Sequence, residues 1–120
     1  MHTAYLVLAW ITVGLNVSIA VADYLRAPFV LANSSEVHVP EPWLPGLATL
    51  KFAGGVGVAL GVIAGVPALT LAAALGIVLF FIGAMTFHAR AKVFYNIAFP
   101  GMFLGTAAAT VVLSLWEISG

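Results

Sequence analysis

The chain has 120 residues, of which 63% are hydrophobic and only 7% charged, and its four Lys and Arg balance four Asp and Glu to a formal net charge of zero. A soluble domain keeps about a quarter of its residues charged to stay wetted, so a mean hydropathy of +1.17 makes lipid the solvent for most of this surface, with room for four spans at roughly 20 residues each. The absence of clustered cations excludes nucleic acid as a partner, and the absence of cysteine excludes disulfides, thiolate metal sites and dithiol redox chemistry, leaving any electron transfer to a cofactor or partner protein.

The first predicted element is a span over about residues 4–25, opened by the uncharged run "AYLVLAWITVGLNVSIAVA" and closed by Asp23 and Arg26. Ala20, Val21 and Ala22 before Asp23 have the small-residue form of a signal-peptide cleavage site, but the start "MHT" has no Lys or Arg, so the segment is kept as structure. Tyr5, Thr12, Asn16 and Asp23 recur at helical spacing on one face, with Asn16 about 16 Å along the helix from Tyr5 and so near mid-membrane. Polar side chains in hydrocarbon turn inward and find partners.

Residues 26–46, "RAPFVLANSSEVHVPEPWLPG", hold four of the six prolines together with Asn33, Ser34, Ser35, Glu36, His38 and Glu41. This helix-breaking composition predicts one long polar loop between the first two spans, as a lid or a connector. The second span, about 44–64, is entered through Pro45 with Trp43 at interface depth. Lys51 lies roughly 9 Å inside it, within snorkelling reach and at the same membrane end as Asp23, so the two are expected to pair.

After a turn at Gly65 and Val66, Pro67 opens the third span, about 67–89, and the fourth follows over about 98–117, with Tyr95 and Trp116 as interfacial aromatics. Close approach of lipid-bathed helices needs small residues. Three such faces are predicted: Gly57, Gly61 and Gly65; Gly76 and Gly83; and Gly101, Gly105 and Ala109. They serve packing within the bundle, or alternatively a homodimer.

The stretch "GAMTFHARAKVFYN" concentrates His88, Arg90 and Lys92 within five positions. Arg90 continues the Gly76 and Gly83 face and is expected inside, beside Asp23 and Lys51. His88 sits about 200° around the helix from it, so the two cannot share a pocket, and Lys92 reads as a headgroup anchor. His2, His38 and His88 show no ligand spacing, so no metal site is expected, and no nucleophile or phosphate-cradle motif is present. Arg26, Arg90 and Lys92 all fall on one side, which places loops 23–46 and 88–99 in the cytoplasm and both termini outside.

The run "LKFAGGVGVALG" at 50–61, a proline opening the third helix, and "GIVLFFIGAMTFHARA" at 76–91 resemble the DoxX-like family of small membrane proteins, over about residues 43–115. The first helix departs from the family pattern, ending in "VADYLRAP". The resemblance implies an all-α bundle of four transmembrane helices with Lys51, His88 and Arg90 as family-pattern polar residues. Members of the wider group are linked to quinone-coupled sulfur oxidation and to membrane oxidoreductase assemblies, which implies a redox partner.

These readings converge on a bundle that binds an apolar molecule, a lipid or a quinone, near Asn16, Asp23, Lys51, His88 and Arg90, or that serves as an accessory subunit. The alternative is a membrane-embedded enzyme of isomerase or epoxide-opening type. It would use Asp23 as base, Lys51 or Arg90 to stabilise negative charge and Asn16 to orient the substrate. A second alternative is a purely structural packing subunit.

Overall fold

The computed structural model describes all residues from Met1 to Gly120. It is all-helical: α1 (His2–Tyr24), α2 (Pro28–Glu36), a one-turn 3₁₀ helix (Glu41–Trp43), α3 (Leu44–Ala64), α4 (Pro67–Arg90) and α5 (Ala98–Ser119). Helices α1, α3, α4 and α5 are each long and apolar enough to cross a membrane, since 22 residues rise about 33 Å against a hydrocarbon core of about 30 Å. They pack in a ring, α1 against α3, α3 against α4, α4 against α5 and α5 against α1. One end of the ring carries both termini and the α3–α4 turn; the other carries α2 and the α4–α5 connection.

The interior is built from small and polar residues, and the bulk of the large apolar side chains face outward. Ala9, Ala20, Ala48, Ala74 and Ala107 are fully buried, whereas Ile63, Leu79 and Val112 are each more than 60% exposed, the arrangement expected where lipid and not water surrounds the bundle. The buried positions step by three, four or seven residues: Tyr5, Ala9, Thr12, Asn16, Ala20 and Asp23 on α1, and Thr70, Ala74, Ile77, Phe81 and His88 on α4. The expected inward face of α1 is therefore present as read.

The half of the bundle nearest the termini is closed by hydrogen bonds. Tyr5 Oη donates to Thr70 Oγ1 at 2.8 Å across the ring and Thr12 Oγ1 meets Thr110 Oγ1 at 3.1 Å, while Asn16 Nδ2 donates back along α1 to the Thr12 carbonyl at 2.9 Å and its Oδ1 is buried without a partner. Here the glycine face of α3 operates. A Cβ on Gly57 would lie 2.8 Å from Ala73 Cβ, and one on Gly61 would lie 2.5 Å from the Thr70 backbone nitrogen; only glycine allows α3 and α4 this close.

As packing faces within the bundle, the other predicted small-residue faces are corrected. A Cβ on Gly76, Gly83 or Gly105 would meet nothing within 4 Å, and on Gly101 only the tip of Met85. Gly65 belongs to no packing face: its φ of 68° caps α3 in the left-handed conformation. The third and fourth spans are packed through alanine, threonine and aromatic side chains, which fill an interface as closely as glycine does when the backbones stand farther apart.

The loop expected over 26–46 is also corrected, because much of it is helical. Pro28 occupies the first turn of α2, Pro42 lies in the 3₁₀ helix and Pro45 is in the first turn of α3. Proline at a helix start sacrifices no hydrogen bond, so Pro28 and Pro42 open helices where the sequence reading took them as breakers, and Pro45 opens α3 as expected. Arg26, His38 and Lys92 hold positive φ just past the ends of α1, α2 and α4. Each cap repeats the pattern at Gly65, as in Val93 N–H donating to the His88 carbonyl at 2.9 Å.

Candidate functional site

At the α2 end the four long helices part around a cavity of about 650 Å³ lined by 26 residues, 17 of them hydrophobic. Its floor is aromatic: Phe81 and Phe103 stand 5.0 Å apart, with Phe80 and Phe99 beside them. Its roof is α2, which buries Val30 and is pinned to the α4–α5 connection. Asn96 Nδ2 donates to Asn33 Oδ1 at 2.9 Å, and Tyr95 Oη donates to Glu36 Oε1 at 2.6 Å. The Glu36 carboxylate beside it raises the Tyr95 phenol above its usual range, first by that hydrogen bond.

Asp23 and Lys51 form a salt bridge on the cavity wall, with side chains 4% and 11% exposed. Two adjacent helices position it: Asp23 lies in the last turn of α1, and Tyr24 Oη meets Thr49 Oγ1 at 2.6 Å, tying the end of α1 to the start of α3. Lys51 Nζ also stands 5.2 Å from the centroid of the Phe80 ring, a cation held against an aromatic face in a poorly hydrated wall.

Arg90 does not take the interior place expected of it; His88 does. His88 is 3% exposed and lines the cavity, whereas Arg90 is exposed and faces a separate groove of about 340 Å³ with Val37, His38, Pro40, Trp43, Phe87 and Ala91. Their separation around the helix holds, but the reference face was wrong. Gly76 is exposed, and the inward face of α4 is instead set by Ala74, Ile77 and Phe81, which leads seven residues later to His88.

His88 Nδ1 sits 2.9 Å from the Ala84 carbonyl. That oxygen only accepts, so Nδ1 carries the proton and Nε2 of the neutral ring is left as an acceptor; Nε2 is buried with no hydrogen-bond partner. Asn96 Oδ1 is buried and unpartnered in the same wall.

Asn16 is fully buried but does not line the cavity; it belongs to the closed half, packed beside Gly55. Of the five residues singled out, the fold thus brings Asp23, Lys51 and His88 together and leaves Asn16 and Arg90 apart. No group of three His, Cys, Asp or Glu side chains converges to hold a metal ion. Sequence reasoning missed the contributions of α2 and the α4–α5 connection, Asn33, Glu36, Tyr95 and Asn96, because their pairing joins segments about 60 residues apart that carry no shared motif.

The chain matches the DoxX-like family over residues 6–110, most of its length, and belongs to that family. No curated protein and no solved structure matches it. Family membership and the four apolar helices together make it a membrane protein.

Proposed function

We propose that this DoxX-like membrane protein binds an apolar small molecule, a lipid, quinone or similar compound, in the cavity beneath α2. The observation that supports the reading is the cavity itself: its size lies within the 300–1,000 Å³ range of small-molecule sites, and its wall is mainly apolar with a few polar groups at one end. Leu79 and Phe99 line it and are exposed on the outer surface of the bundle, so a membrane-dissolved molecule would enter beside them. With no thiol in the chain, an accessory role beside a membrane oxidoreductase would rest on the bound molecule and a redox partner.

The orientation that fits this reading puts α2 and the α4–α5 connection in the cytoplasm, because Arg26, Arg90 and Lys92 lie at that end and no Lys or Arg lies at the other. The cysteine-free chain allows a direct check: a single Ser35→Cys is labelled by an impermeant maleimide only in inverted vesicles, and labelling of intact cells would reverse the orientation.

Ligand binding is tested by native mass spectrometry of protein released from lipid nanodiscs, comparing wild type with Leu47→Trp, which fills the cavity and keeps both Asp23 and Lys51. A stoichiometric apolar molecule present in wild type and lost in the variant is the expected result. Identical spectra with only bulk lipid would refute the reading.

A further inference from the structure

The cavity's polar end is asymmetric in its hydrogen-bonding capacity. Its donors are engaged within the chain: the Lys51 ammonium with Asp23 and against the Phe80 ring, Tyr95 Oη with Glu36, and one N–H of Asn96 Nδ2 with Asn33. What remains unpartnered and buried is acceptor in kind, Nε2 of His88 and Oδ1 of Asn96. A buried acceptor without a donor carries its full desolvation penalty, so the site gains most from a ligand that brings a donor.

The charges narrow the class further. Two carboxylates, Asp23 and Glu36, line the cavity against one ammonium, Lys51, which is already paired. Arg90 faces the other groove, and Arg26 pairs with Glu41. No free cation therefore awaits an anionic headgroup, and a carboxylate or phosphate entering beside Glu36 meets like charge.

Resting on the ligand-binding reading above, we propose that the cavity selects an uncharged amphiphile whose polar end is a hydroxyl group, donating its proton to Nε2 of His88 while the hydrocarbon lies along Phe81, Phe99 and Phe103. Fixing the tautomer is the task of Ala84, whose carbonyl holds the proton on Nδ1 and leaves Nε2 free to accept.

Three probes with one chain length separate the possibilities: 1-dodecanol, dodecyl methyl ether and dodecanoate. Each is equilibrated with the full chain in phosphatidylcholine nanodiscs, whose lipid offers no hydroxyl, and counted by native mass spectrometry. Binding is also followed by fluorescence of Trp43, the one tryptophan on the cavity wall, in a Trp10→Phe, Trp116→Phe background. The expected result is a stoichiometric dodecanol adduct, about tenfold weaker retention of the ether, as loss of one hydrogen bond gives, and no dodecanoate.

His88→Leu should bring alcohol and ether to parity, and His88→Gln, which keeps an acceptor, should restore part of the preference. Should His88→Leu fail to fold, the alcohol-to-ether ratio on wild type decides alone. Equal retention of alcohol and ether, or tightest binding of dodecanoate, overturns the donor rule while leaving the cavity a binding site. Failure of all three probes together with an unchanged Trp43 signal removes the binding reading itself. Competition by dioleoylglycerol assigns the hydroxyl to a membrane lipid, and its absence assigns it to a free alcohol; either outcome upholds the rule only where the ether has been rejected.

Discussion

Removing Lys51 should destabilise the bundle more than removing Asp23, and removing both should cost least. Asp23 is 4% exposed and sits in the last turn of α1, where the carbonyl end of the helix repels a carboxylate. Lys51→Met therefore strands a buried anion at the wrong end of its own helix, a situation that costs about 3–5 kcal/mol in desolvated pairs. Asp23→Leu leaves a lysine whose flexible stem can swing its ammonium to the interface, lowering the cost to about 1–2 kcal/mol. The double variant loses both charges and the helix-end repulsion and should stand within about 1 kcal/mol of wild type. Steric-trapping unfolding in bicelles measures all four proteins. Additive costs, or a larger loss for Asp23→Leu than for Lys51→Met, would show that the pair is hydrated and that the reasoning from burial fails.

Other outcomes follow from the packing and the roof. Gly61→Ala should lose about 2–3 kcal/mol in the same assay, since its Cβ falls 2.5 Å from the Thr70 backbone and overpacking costs 1–3 kcal/mol; Gly105→Ala, open to lipid, should be neutral, and equal effects would refute the assignment of faces. Thr110→Val should cost about 0.6 kcal/mol through loss of the Thr12 contact; a cost above that of Gly61→Ala would be inconsistent with a contact whose loss leaves Thr12 still donating to the Leu8 carbonyl. The Tyr95 phenol, raised by Glu36 from 10.0, should titrate above that value in the difference between wild-type and Tyr95→Phe absorbance, and Glu36→Gln should bring it down. Because the folded-state value is the higher one, the contact contributes fully below pH 10 and is lost as pH rises through that folded-state value; a Tyr95 midpoint at or below 10 would remove the Tyr95–Glu36 tie between α2 and the α4–α5 connection.

The parts legible in sequence were those governed by local periodicity and by solvent. Composition decided the membrane, and Pro45, Pro67 and the glycine of the α3–α4 turn marked helix ends through backbone constraints that do not depend on neighbours. The Asp23–Lys51 pair was legible too, because two opposite charges at one membrane depth have few other partners. The facing of α4 was not. Glycine spacing records where a helix is allowed to approach another, which need not be where it does, and the side chains with something to lose in lipid, Thr70 and His88, marked the inward face. Nor was α2 legible: nine residues are too few to be helical by propensity alone, and its fixing depends on Asn96 and Tyr95 from the far end of the chain.

The division of the bundle into a closed half and an open half follows from one constraint applied twice. Where α3 presents Gly57 and Gly61, α4 comes in close, Thr70 on it accepts from Tyr5, and Thr12 meets Thr110 between α1 and α5. Toward α2 the facing positions are Lys51, Leu47 and Leu44 on α3 and Phe81, Ala84 and His88 on α4, which line the cavity, and Nε2 of His88 and Oδ1 of Asn96 find no partner within the chain. Helix–helix contact in lipid has no hydrophobic drive to force the gap shut. An open, incompletely satisfied end is thus stable as long as the other end is locked, and the residues that lock it are expected to control whether the cavity exists at all.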